Sequence, residues 1–153
     1  MMSEGAESKQ PHPSSVCLVR AFGNPPAAVW QAWTDPAWVR RWFGSDPAGI
    51  VLSAELDVRT GGGFAVSFRD SDGTVHTCSG VYAEVRPQER LAFSRRWQSE
   101  PGVESFVSVS LAPQDGGTEL RFEHARLGGA SLHDYEQGWA RTFAKLERAL
   151  AGR

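Results

Sequence analysis

Few residues in this chain are of a type and spacing that could carry chemistry. His76 sits in TVHTCSG, and His124 in ELRFEHARL directly after Glu123. An imidazole titrates near neutrality and can act as a general base, but only with a carboxylate or a substrate proton within hydrogen-bond reach. If Leu120 and Phe122 face the interior, period-two alternation puts His124 beside them and turns Glu119, Arg121 and Glu123 outward. His124 is then a polar group on an apolar wall. It reads as a hydrogen-bonded structural or ligand-orienting residue rather than an acid or base. His76 reads as an exposed strand residue, His133 at the start of a long helix as solvated, and His12 as part of a solvated tail.

Asp57 and Arg59 are two apart on an expected strand, share a face, and read as an ordinary surface ion pair. Gly61, Gly62 and Gly63 could suggest a phosphate cradle, but no helix opens behind them and no Lys-Ser or Lys-Thr follows. They are better read as a sharp strand bend or bulge. Cys17 and Cys78 are the only cysteines, far apart and without CxxC or metal-ligand spacing, so both are expected as reduced, packed thiols. The chain contains no nucleophilic-serine motif and no HExxH. Catalytic residues, metal and cofactor are therefore all expected to be absent.

The elements that must position these groups follow from composition and period. With 153 residues, 41% of them hydrophobic, and a net charge of -2 with mixed signs, one domain is expected. Such a charge pattern lacks the concentrated positive field of a nucleic-acid binder. No run approaches the ~20 apolar residues of a membrane span. The N-terminus has no basic flank followed by an apolar run, so a cytoplasmic location is expected. Residues 1–14, MMSEGAESKQPHPS, have little to bury and read as a disordered tail, leaving a domain over 15–153.

SVCLVRAFG reads as a strand with both faces covered. Pro25 and Pro26 suit a helix start, and the TDP of 34–36 ends that helix and opens another, capped by Thr34 or Asp35 and closed by Gly44. From 48 to 126 six strands follow, with turns at SDG, RPQE, SEPG and QDGG. Leu132, Tyr135, Trp139, Phe143, Leu146 and Leu150 then form one stripe of a helix of about twenty residues, ~30 Å long, with Ser131 as N-cap and Gly152 as stop. The result is an α+β chain: a seven-stranded antiparallel sheet curved round the C-terminal helix, with two short helices between the first two strands.

Several phrases carry a resemblance. PPAAVWQAWTDPAWVRRWFG, DVRTGGGF, GVYAEVRPQERLAFSRRW, GTELRFEHARLG and GWARTFAKLERAL occur in that order over about residues 15–150. Together they resemble the START-like (SRPBCC, helix-grip) superfamily, and within it the family named for the activator of the heat-shock-chaperone ATPase, in its small single-domain bacterial form. The family often places proline just after the aromatic pair, whereas here Gly44, Ser45 and Asp46 delay it to Pro47.

The resemblance implies a cavity between sheet and long helix that takes a small, mostly apolar molecule. Trp33, Trp42, Phe43, Phe64, Phe93, Trp97, Phe122, Trp139 and Phe143 would supply its apolar wall, with Arg95 and His124 as polar contacts. Trp33, Trp42 and Phe43 would form its gate, while Trp30 and Trp38 read as plain packing. A second reading is regulation of a heat-shock-chaperone ATPase, although the chain matches only the C-terminal domain of the two-domain eukaryotic activator. A cyclase- or hydrolase-type enzyme using the same cavity is a third. Partners are thus a small apolar molecule or a chaperone, with no nucleic acid and no membrane insertion, in a monomer or homodimer.

Overall fold

The computed structural model describes residues 15–125 and 132–152, with backbone alone at 132–134. The expected tail, His12, the Ser131 cap and the His133 side chain lie outside the described residues. The elements are β1 (Val16–Phe22), α1 (Pro26–Thr34), α2 (Pro36–Val39), β2 (Ile50–Leu56), β3 (Gly63–Arg69), β4 (Val75–Arg86), β5 (Arg90–Trp97), β6 (Glu100–Gln114), β7 (Gly117–Ala125) and α3 (Leu132–Ala151). All seven strands form one antiparallel sheet in the order β1-β7-β6-β5-β4-β3-β2. It is a meander from β2 to β7, with the first strand added beside the last. The α+β helix-grip architecture is the one expected.

Local chemistry sets the helix boundaries. Pro25 is the N-cap of α1 with Pro26 inside the first turn, where a missing N–H costs nothing. The Asn24 side chain instead donates to the Leu150 carbonyl at 3.2 Å, tying the β1–α1 link to the end of α3. Of the two expected caps for α2, Asp35 serves, accepting from the Ala37 N–H at 2.9 Å, while Thr34 bonds back to Trp30. The α2 helix is shorter than expected. It ends at Val39 and continues as turns through Trp42 to Gly44, whose φ of 96° is left-handed and where an added Cβ would fall 3.1 Å from the Phe68 ring.

The core lies between the inner sheet face and the α3 stripe, where Trp139, Phe143, Leu146 and Leu150 are buried. β1 corrects the expectation of two covered faces. It is an edge strand whose Cys17, Val19 and Ala21 are exposed on the outer face, since no described element packs there and an antiparallel sheet tolerates one wet side. Cys78 is buried as expected, but Cys17 is exposed rather than packed.

The turn after β5 is also displaced. It is formed at Gln98–Ser99, so Pro101 and Gly102 of the expected SEPG turn fall inside β6, next to a register shift at Arg96/Trp97. Asp57 and Arg59 pair at 2.9 Å, but in the loop after β2 rather than on a strand. The three glycines form the bend into β3, as expected. A Cβ on Gly62 would fall 2.1 Å from the Asp57 carbonyl.

Candidate functional site

A cavity of about 240 Å³ lies between the inner sheet face and α3, beside the segment that follows α2. Its walls are Trp42, Phe43, Gly44 and Ser45 after α2, Phe68 on β3, Arg95 and Trp97 on β5, and Tyr135, Gly138, Trp139 and Thr142 on α3. A recess of about 30 Å³ adjoins it through the shared residues Trp42, Phe43, Arg95 and Trp139. Trp33, Phe64 and Phe93 line the recess together with Val39, Leu56, Val66, Tyr82 and Leu91.

Eight of the eleven residues singled out from sequence therefore meet at these two spaces, while Phe122, His124 and Phe143 line neither. Those three stand behind the wall. Phe122 packs on Trp139 with ring centroids 4.4 Å apart and on Phe143 at 5.3 Å. Trp33 and Trp42 meet across the V of the short helices at 4.7 Å. The Trp42 indole N–H donates to the Ala32 carbonyl at 2.8 Å, which fastens the turn after α2 to α1. Trp33 Nε1 is a buried donor with no partner among the described residues. Trp30 and Trp38 are only half-buried, and Arg41 lies over the Trp38 ring at 4.4 Å.

His124 is 1% exposed, and both its ring nitrogens are engaged. An indole N–H can only donate, so the 2.9 Å contact from Trp139 Nε1 makes Nδ1 the acceptor. The proton is then on Nε2, which donates to Ser105 Oγ at 2.7 Å, and that hydroxyl donates in turn to the Arg95 carbonyl. Burial, reinforced by the positive charge of Arg95, pushes the His124 pKa down to about 2. The imidazole is neutral and holds Trp139, a cavity wall residue, in one orientation.

Arg95 continues the inward alternation of Leu91 and Phe93, so a guanidinium takes a position where the pattern calls for an apolar side chain. It is 9% exposed. Its Nε donates to Cys78 Sγ at 3.0 Å, and its charge lies 4.9 Å from the Trp97 ring, 5.0 Å from Trp139 and 5.8 Å from Phe43. His76 is half-buried rather than exposed as expected. It bonds Asp70 at 2.9 Å and packs against Phe68 and Trp97, two wall residues.

Lys145 and Asp46 hold the segment at the mouth. Lys145 Nζ donates to the carbonyls of Phe43, Gly44 and Asp46 at 3.4, 3.2 and 3.0 Å. Burial holds its pKa below the ordinary lysine value, with Asp46 pulling the other way. The Asp46 carboxylate accepts from Ser71 N–H and Oγ and from Ala48 N–H, which brings its pKa to about 2.

Phe68, Tyr135, Gly138, Thr142, Gly44 and Ser45 were not singled out from the sequence as wall residues. Phe68 had a signal, since it extends the alternation of Phe64 and Val66. Tyr135 and Thr142 stand at helical spacing from Trp139, and Gly138 precedes it. Gly44 and Ser45 had none, because their place depends on how a loop folds back. Among the described residues no group of three or more His, Cys, Asp or Glu could hold a metal, and no helix is long and apolar enough to cross a membrane.

Comparison with known proteins agrees with this architecture. A family model described as Activator of Hsp90 ATPase homolog 1-like protein matches residues 24–151. Protein CV1439 from Chromobacterium violaceum superposes with a TM-score of 0.83 at 24% identity, over 91% of this chain and 98% of its own. Protein NE0264 from Nitrosomonas europaea gives 0.78 at 26%, over 92% and 97%. An uncharacterized protein from Rhizobium leguminosarum gives 0.77 at 26%, over 91% and 95%. No curated protein matches the chain.

Proposed function

Because the chain belongs to the Activator of Hsp90 ATPase homolog 1-like protein family, we propose that it binds a small, mostly apolar molecule between its sheet and α3. The observation that carries this reading is the cavity of about 240 Å³. An empty apolar space of about 150 Å³ already accepts benzene, so this one is large enough for a ring with a short side arm. A void of that size sacrifices packing that a core would otherwise gain, and it adjoins a well-filled aromatic cluster rather than a loose one. With four aromatic side chains of sheet and loop facing two of α3, most of the recognition is apolar contact, and a few polar groups fix orientation.

Native mass spectrometry of the purified protein, followed by a thermal-shift screen of apolar metabolites, tests the reading. Retained small molecules or a raised melting temperature support it. If neither is observed across the screen, the cavity is not a binding site. The family description also supports a second reading, regulation of a heat-shock-chaperone ATPase. Addition of the protein to a chaperone ATPase assay decides it, and an unchanged rate removes it.

A further inference from the structure

Arg95 is a feature of the cavity that a purely apolar ligand leaves unexplained. A charge taken out of water is costly unless an opposite charge or a full set of hydrogen bonds replaces the solvent. The ion pairs among the described residues use Arg59, Arg86, Arg90, Arg96, Arg121 and His76, and none involves Arg95. Of its five donors, only Nε has an acceptor among the described residues, and that is a weakly accepting sulfur. Trp97, Trp139 and Phe43 surround the guanidinium and offset part of the desolvation, but a ring quadrupole is not a counter-charge. His124, behind it, is neutral and contributes no negative charge.

Resting on the binding reading above, we propose that Arg95 is an anion receptor and that the ligand is an aryl or arylalkyl carboxylate. Its carboxylate engages the two terminal nitrogens of Arg95, and its ring lies among Phe68, Trp97 and Trp139. A carboxylate suits a guanidinium because two oxygens meet two parallel N–H groups. The aromatic wall and a volume of about 240 Å³ set the rest of the molecule as a ring with a short linker. Gly138 and Thr142 add little side-chain bulk to the α3 side of the space, with Ser45 standing opposite Gly138.

Calorimetry of the full chain with 3-phenylpropionate, 3-phenylpropionamide, propionate, phenyl phosphate and indole tests this. The acid is expected to bind about tenfold tighter than its amide, since a charge-assisted hydrogen bond is worth more than a neutral one. Propionate, which lacks the ring, is expected to bind more weakly than the aryl acid, and phenyl phosphate, a dianion that loses more hydration than one guanidinium replaces, more weakly as well. In Arg95→Met the acid's advantage disappears while indole still binds.

Equal binding of acid and amide, or an advantage that survives in Arg95→Met, overturns the proposal. Indole binding without acid binding overturns it and leaves the binding reading standing. If no probe binds, this proposal falls, and the metabolite screen alone decides the binding reading. Should Arg95→Met fail to fold, wild-type NMR decides. The acid is expected to shift the indole N–H signals of Trp97 and Trp139 and spare those of Trp30 and Trp38, and the reverse pattern overturns the assignment.

Discussion

Acidification should destabilise this protein through His124 before its carboxylates titrate. Protonating the buried ring requires a second N–H at Nδ1, where the Trp139 indole already donates, and it places a cation beside Arg95. The fold therefore refuses a proton down to about pH 2, whereas an unfolded histidine accepts one near pH 6.5. Between those values the unfolded chain binds one more proton than the native one, so stability is unaffected above about pH 6.5 and falls as the pH drops below it. The slope is about 1.4 kcal/mol per pH unit, or roughly 2.7 kcal/mol by pH 4.5. Urea unfolding followed by tryptophan fluorescence at pH 7.5, 6.5, 5.5 and 4.5 measures it in the wild type and in His124→Gln. A glutamine can still accept from Trp139 and donate to Ser105 but does not titrate, so its stability deficit should shrink by that slope as the pH falls. A deficit constant with pH, or an NMR titration of the His124 ring near pH 6, refutes the assigned bonding.

Gly80→Ala should cost about 3 kcal/mol or more and lower Tm by roughly 6–12 °C, because the new Cβ falls 1.8 Å from the Ser94 carbonyl across the β4–β5 pair; a melting curve like the wild type's rejects that contact. Lys145→Met should move Tm little, as the released desolvation offsets the lost hydrogen bonds. Amide exchange at residues 44–48 should nevertheless quicken, and unchanged exchange means Lys145 is not what holds the mouth. Trp42→Ala should weaken ligand binding more than Trp38→Ala, since only Trp42 lines the cavity; equal effects return both to plain packing.

Much of the fold was legible because its signals are local. Proline and aspartate at 25–36 place the helix starts, alternation through Phe64, Val66 and Phe68 marks an inward strand face, and the 3–4 spacing from Tyr135 to Leu150 marks one helix stripe. Each depends on backbone geometry within a few residues. β1 shows where such signals stop: its apolar run is the same whether one face or two are covered, and only its place at the sheet edge decides. The turn at Gln98–Ser99 shows it too, since Pro101 and Gly102 signal a reversal that the β5–β6 register overrides.

For the site, the sequence by itself determined that the chain would bring many aromatics, one arginine and one histidine to the inner side of a sheet faced by a helix. Only the tertiary structure decided which of them border a space and which fill the core, so that Trp42, Phe43 and Trp139 line the cavity while Phe122 and Phe143 close up behind it. It alone fixed the tautomer of His124 and left Arg95 without a counter-charge among the described residues. The physical reason is that periodicity reports which way a side chain points, whereas a cavity is a small difference between large packed volumes and an ion pair depends on what stands opposite. Both are set by segments far apart in the chain.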